Sequence, residues 1–263
     1  AEIVVRDTPL DTALDPEQFG TALIGFGKVT MHGSVKTPTF VRLAAEPLAG
    51  ATTLTLAQPV SGWQVGDRVI LPDTRQIGRA VRLRTRPRDW EFEERQITGI
   101  SGTTMPVNAP LLYDHEGARN ADGVLEFLPH VANISRNIVV RSENPAGTRG
   151  HVMFTHRPEV SINFARFQDL GRTASAPLDS TTFDAAGNVT HIGTNQIGRY
   201  ALHAHHLWGP TTPPPSGYQF EFVGNAVDGG STSTRWGIVI HDSHYGLVRE
   251  HVVTRFTGAG IIT

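Results

Sequence analysis

Gly237-Ile238-Val239-Ile240-His241 is followed 23 residues later by Gly260-Ile261-Ile262-Thr263. Upstream, the same apolar alternation runs into histidine at Leu202-His203-Ala204-His205-His206 and at Met153-Phe154-Thr155-His156. Short strands at a period in the twenties, separated by glycine turns and lacking a helical stripe, are the signature of a parallel β-helix. Each turn of such a solenoid buries its apolar face only by stacking on its neighbours. Aligning the segments by pattern places Met153–His156 under Leu202–His205, then under Ile238–His241, then under Ile261–Thr263. In this register Leu202, Ile238 and Ile261 face inward, as do Ala204, Ile240 and Thr263. His156, His205 and His241 then form a column on the outer face, with strands ~4.8 Å apart.

The rest of the chain also reads as β. Ile3-Val4-Val5, Val29-Thr30-Met31, Phe40-Val41-Arg42-Leu43, Thr53-Leu54-Thr55-Leu56 and Val69-Ile70-Leu71 are short strands between Gly, Pro and Asp turns. No window of 12 residues carries a 3.6-residue apolar stripe. The expected architecture is all-β: an N-terminal β-rich segment, residues 1–130, merging into parallel β-helix coils over residues 131–263. Three stretches interrupt the pattern. Residues 72–95, rich in Arg, Pro and Glu and carrying Trp90, read as an exposed loop. Residues 172–197 read as a Ser/Thr/Asp-rich excursion, and Pro213-Pro214-Pro215 as a loop inserted into one coil.

Composition excludes several functions. Over 263 residues the formal charge is −2, so no basic field exists to attract nucleic acid or an anionic membrane. No apolar run reaches the roughly 20 residues of a membrane-spanning helix. With no cysteine, disulfides, thiolate ligands and a cysteine nucleophile are excluded. Gly25-Phe26-Gly27 and Gly224–Gly230 precede no helix pattern, which argues against a phosphate-binding loop. The chain starts at Ala1 and stops in a strand pattern at Thr263, so it is expected to be cut from a longer protein. A second chain or fragment is then expected to complete the last coil, because an open solenoid end exposes strand edges.

Chemistry concentrates in the histidines. Imidazoles at His203 and His205 share one strand face, and His241 lies on the next coil. The three can converge on a divalent metal, with His156, His244 or a carboxylate completing the shell. Alternatively, the column is a structural histidine ladder. His206 is expected to point opposite His205 into a loop or core contact, and His32, His115, His130, His191 and His251 to play structural roles. For acid–base cleavage of a polysaccharide, Asp242 beside His241 is the best-placed acid, with Asp228, Glu221 or Asp184 as a second carboxylate for hydrolysis. Elimination from a uronic acid instead needs a base, His205 or His241, and a cation such as Arg199 or Arg141 on the substrate carboxylate. Trp90, Trp208 and Trp236 are candidate sugar platforms, whereas Trp63 reads as packing.

The ordered series Gly198-Arg199-Tyr200-x-Leu202-His203-x-His205, Ile238-x-Ile240-His241-x-x-His244 and Gly258-x-Gly260 resembles the cell-migration-inducing, hyaluronan-binding protein family, which includes fibrocystin-like proteins. Upstream, Lys28-Val29-Thr30-Met31-His32-Gly33, Thr53–Leu56 and Trp63-x-Val65-Gly66-Asp67 resemble that family's glycine-rich N-terminal domain. Ala201 and Ala204 stand where the family carries Pro and an aromatic. The resemblance implies a right-handed parallel β-helix, extracellular or cell-surface location, and binding or depolymerisation of a glycosaminoglycan-like polysaccharide. The expectation is therefore a secreted protein engaging an extracellular polysaccharide along its outer groove. It is either a glycan hydrolase or lyase, with or without metal assistance, or a non-catalytic binding and adhesion module.

Overall fold

Three columns of inward side chains explain why residues 1–34 and 136–263 coil. The computed structural model describes residues 1–75, 90–174, 178–209, 212, 215, 217–231 and 234–263, and among them there is no helix. The first coil comprises β1 (Glu2–Val5), β2 (Ala22–Gly25) and β3 (Val29–His32). Next come eight strands of a separate unit: β4 (Phe40–Arg42), β5 (Thr53–Thr55), β6 (Arg68–Leu71), β7 (Glu93–Gln96), β8 (Thr104–Pro106), β9 (Ala118–Arg119), β10 (Leu125–Phe127) and β11 (His130–Asn133). Coiling resumes with β12 (Ile138–Ser142), β13 (His151–His156), β14 (Val160–Asn163) and β15 (Ala165–Gln168). A hairpin, β16 (Thr182–Phe183) and β17 (Val189–His191), interrupts the third coil before β18 (Leu202–Leu207) and β19 (Phe220–Val223). The last strands are β20 (Ala226–Asp228), β21 (Ile238–His241), β22 (Gly246–Arg249), β23 (Val252–Thr254) and β24 (Ile261–Ile262).

Parallel pairing sorts the coil strands into three sheets, β1-β12-β15-β20-β23, β2-β13-β18-β21-β24 and β3-β14-β19-β22. Every third strand thus lies over its predecessor, which defines a parallel β-helix; crossovers between parallel strands of one sheet are right-handed as a rule. The register stacks Ile3, Val140, Phe167, Val227 and Val253 on the first sheet. On the third it stacks Met31, Ile162, Phe222 and Val248. On the second, Gly25, Phe154, Ala204 and Ile240 are in register. Two glycines make room for phenylalanines in adjacent coils. A Cβ at Gly246 would lie 1.9 Å from Phe220 Cζ, and one at Gly25 2.7 Å from the Phe154 ring.

Corners between sheets are made by single residues in the left-handed region, and they need not be glycine. Phe164 (φ 54°), Gly224 (φ 64°) and Glu250 (φ 58°) occupy equivalent corners after β14, β19 and β22. The residue that follows seals the backbone of the coil before it. Asn225 Oδ1 accepts the Ala165 amide at 2.8 Å, and His251 Nδ1 accepts the Asn225 amide at 3.2 Å. This gives His251 the structural role expected of it. Burial pushes its pKa down to about 4. Its contribution is complete above the unfolded value near 6.5 and is lost as pH falls from there towards 4. We expect the coils to lose about 2 kcal/mol through this group between pH 7.5 and pH 5. His251→Asn, which repeats the Asn225 arrangement, should shrink the acid-induced drop in unfolding midpoint by that amount. An unchanged drop would show that another group sets it.

The structure divides the chain differently from the sequence reading. One unit is Ala1–Ser34 with Arg136–Thr263, and the other is Val35–Ser135. Residues 1–34 are the first coil itself, paired in register with β12, β13 and β14. Repeat spacing could not reveal this, because the second unit separates the first coil from the second. That unit holds an antiparallel sheet β4-β11-β6-β7 and the pairs β5-β8 and β9-β10, around a core including Leu54, Leu71, Ile97, Met105 and Val131. Trp63 is buried there and donates Nε1–H to the Pro38 carbonyl, as a packing residue should. The polyproline stretch, apart from Pro215, and positions 76–89 of the 72–95 loop lie outside the described residues.

Candidate metal centre and groove

On the outer face of the second sheet the rings of His203, His205, His206 and His241 pack against one another. The register His205↔His241 holds as expected, with Leu202↔Ile238 and Ile238↔Ile261 beneath it. His156 departs from the expected column. Thr155, not His156, pairs with His205, and the ladder shifts between Thr155 and His156. His156 (φ 74°), His206 (φ 51°) and Asp242 (φ 43°) each follow the Thr155–His205–His241 column and turn left-handed at the sheet's corner. A left-handed residue breaks period-two alternation and puts two successive side chains on one side. His206 therefore lies against His205, ring centroids 4.0 Å apart and 17° from parallel, rather than opposite it. The same corner device recurs at Phe164 and Glu250, so it belongs to the coil and is not evidence of a site by itself.

Three of the rings converge. Ligand-capable atoms of His203, His205 and His241 all lie within 4.8 Å of one another. His205 Nδ1 and His241 Nδ1 are 3.0 Å apart, one ring donating N–H to the other's lone pair. His203 is 1% exposed, and its Nδ1 is 2.9 Å from the Gly198 carbonyl. A carbonyl only accepts, so the proton sits on Nδ1 and the Nε2 lone pair is free; that buried Nε2 has no hydrogen-bond partner among the described residues. Burial, helped by His205, pushes the His203 pKa down to about 3; burial, then His206 and His241, pushes His205 down to about 4. Both are neutral at neutral pH, the form that binds metal. His244 is exposed and contributes its backbone amide to Leu207. Neither His244 nor His156 belongs to the converging set.

Beside the histidines lies a groove of about 430 Å³ lined by Phe19, Ile24, Phe26, Met153, Thr155 and Trp208 together with His156, His205 and His206. Phe26 and Trp208 are 62% and 56% exposed, and the Trp208 ring stacks on His206 at 5.5 Å. Trp208 Nε1–H points at Asp242 Oδ2, 3.5 Å away, which puts this carboxylate at the groove's edge. Of the other proposed platforms, half-buried Trp236 stacks on Tyr200 at 5.6 Å as packing, and Trp90 belongs to residues 35–135.

The remaining sequence candidates are committed elsewhere. Arg199 is buried and donates to the carbonyls of Glu17, Gln18 and Ile197, with its guanidinium 4.1 Å from the Phe19 ring centroid. Arg172 donates to the carbonyls of Gln18, Gly20 and Thr21. Together the two arginines hold the 17–21 segment and with it the Phe19 wall of the groove, so Arg199 is not available to a substrate carboxylate. Arg141 pairs with Glu2 on the first sheet. Asp228 is buried between Arg166 and Arg255, Asp184 bonds the turn of the β16–β17 hairpin, and Glu221 lies on the third sheet. Phe19, Phe26 and His206 were not legible as site residues. The first two sit in loops without periodicity, and the corner reverses the expected direction of the third.

No family model and no curated protein matches the chain. Solved structures similar to it include three phage tailspikes. The gp61 tailspike of Pseudomonas phage phi297 is 13% identical with a TM-score of 0.28, over 99% of this chain and 34% of that one. The Gp54 tailspike of Acinetobacter baumannii bacteriophage AP22, solved with A. baumannii capsular saccharide, is 12% identical with a TM-score of 0.30, over 98% and 41%. The gp49 tailspike of Pseudomonas phage LKA1 is 12% identical with a TM-score of 0.31, over 100% and 45%. The chain thus spans less than half the length of each of these structures.

Proposed function

We propose that this chain is an extracellular, polysaccharide-engaging β-helix whose outer groove adjoins a three-histidine divalent-metal centre. The observation that carries the reading is the convergence of His203, His205 and His241 around the unpartnered Nε2 of a buried imidazole. The residues fit such an ion. Imidazole suits zinc and its neighbours, and three protein ligands leave a position open for water or substrate. Bound there, the ion would supply Lewis acidity and a more acidic water. The chain's own groups do the rest. Gly198 fixes the tautomer of His203, Phe26 and Trp208 present flat apolar faces to sugar rings, and Asp242 at the groove's edge accepts a proton.

Two routes weighed on the sequence each lose an expected residue. A carboxylate-pair hydrolase needs a second acid about 5–10 Å from Asp242, and Asp228, Asp184 and Glu221 are placed elsewhere. Elimination from a uronic acid needs a neutralising cation, and with Arg199 and Arg141 bound to other groups that part falls to an ion on the three histidines. The rival is a binding module, favoured by the groove's exposed aromatics, which need no metal to hold sugar. Elemental analysis of untagged protein should find close to one equivalent of a divalent metal. His241→Ala should abolish processing of a responsive polysaccharide, read as reducing ends or released groups, while leaving the fold intact. Binding without any processing by metal-loaded protein would establish the rival.

A further inference from the structure

The permanently charged basic side chains of this protein are arginines, with two exceptions, Lys28 and Lys36. Lys28 is exposed beside Glu159, whereas Lys36 is 5% exposed. Where a buried carboxylate needs a cation, the chain elsewhere uses arginine, as at Glu93 with Arg95 and at Asp228 with Arg166. A buried lysine offers what arginine does not, an amine that is nucleophilic once it gives up a proton. Lys36 Nζ lies 2.6 Å from Asp67 Oδ2 and 3.0 Å from the Gly62 carbonyl. The same Asp67 oxygen accepts Asn133 Nδ2–H at 2.8 Å, and Asn133 is fully buried at the end of β11. Asn133 Oδ1 in turn accepts the Ser135 amide at 2.9 Å. One carboxylate thus bridges an amine and a carboxamide whose oxygen already faces an N–H donor.

We propose that Lys36 and Asn133 join in an intramolecular amide, with Asp67 as the proton carrier. A proton of the Lys36 ammonium passes to Asp67 along their hydrogen bond, and the neutral Nζ attacks Asn133 Cγ. Negative charge develops on Oδ1, where the Ser135 N–H stabilises it. Asp67 hands its proton to Nδ2 and takes one from the attacking nitrogen, the Cγ–Nδ2 bond breaks, and ammonia leaves. One C–N bond forms and one breaks, and nothing is oxidised or reduced. The fold holds the three side chains together, which replaces a chance encounter between them. Lys36 and Asn133 lie at the two ends of the Val35–Ser135 unit, so the bond ties the segment that enters it to the segment that leaves.

Intact-mass spectrometry of the purified full chain tests this. The wild type should be lighter than its sequence by one ammonia. A tryptic digest should yield residues 29–42, uncut at Lys36, joined to residues 120–136. Lys36→Arg removes the nucleophile and Asp67→Asn the proton carrier, and each should restore the full mass. A wild type at its full sequence mass overturns the proposal and leaves Lys36 and Asp67 an ion pair. Loss of one water instead, with Lys36 joined to Asp67, overturns the assignment of Asn133. Loss of ammonia that persists in Lys36→Arg belongs to ring closure of Asn133 on its own backbone and overturns the cross-link as well. The wild-type reading decides even where a variant folds poorly.

Discussion

His203→Ala should lower the affinity for a divalent metal by about 100-fold or more, whereas His156→Ala and His244→Ala should leave it unchanged. Losing an outer-shell partner of a ligand already costs about 10–100-fold, and losing the ligand itself costs more. His203 is the sharpest choice because its environment leaves it one function. The Gly198 carbonyl accepts the Nδ1–H hydrogen bond, burial keeps the ring neutral, and Nε2 has no hydrogen-bond partner among the described residues. Competition with a chromophoric chelator gives the affinities, and near-ultraviolet circular dichroism checks that Tyr200, packed edge-on against this ring at 4.8 Å, has not moved. Equal metal loss in His244→Ala would contradict the assignment. So would retention of full affinity in His203→Ala, which would make the cluster a structural ladder.

The second large effect concerns stability. Asp228 is 1% exposed, with Arg166 Nη2 at 2.8 Å, Arg255 Nε at 2.7 Å and the Gly230 amide at 3.0 Å. Burial alone would raise its pKa, but the Arg255 hydrogen bond and the surrounding positive charge outweigh that and hold it below the usual range. Asp228→Ala would remove the buried carboxylate that Arg166 and Arg255 share. Breaking a buried pair in this way costs about 3–5 kcal/mol, so we expect a large fall in the urea midpoint. Removal of all three charges together should cost less than the single change, because the single change keeps both guanidinium charges around the site of the lost carboxylate. A loss under about 1 kcal/mol in Asp228→Ala would show that water or relaxation satisfies them. Asp228 looked like a catalytic acid by residue type alone; its neighbours make it a structural one.

The coil was legible because its inward positions repeat. Leu202, Ile238 and Ile261 recur at one phase of the strand pattern, and that phase places His205 directly under His241. What failed was local. Little in the sequence marks His156 and His206 as left-handed corners, since histidine, though enriched in that backbone state, signals it far more weakly than glycine. One such corner shifted His156 out of the column, and another turned His206 onto His205. Arg199 was misread because its partners are backbone carbonyls of a distant segment, which no side-chain pattern announces. The aromatic groove was half visible. Trp208 stood out by type and position, but Phe19 and Phe26 reach it only through the coil formed by residues 1–34.

The central claim is that His203, His205 and His241 share one metal ion. It is tested most directly by anomalous X-ray diffraction above the zinc edge, on crystals grown with one equivalent of zinc and no affinity tag. The account predicts a single strong anomalous peak with one nitrogen from each of the three rings at about 2.0–2.1 Å. A zinc-equilibrated crystal with no peak there, or with its peak on His156 or His244 instead, would contradict it.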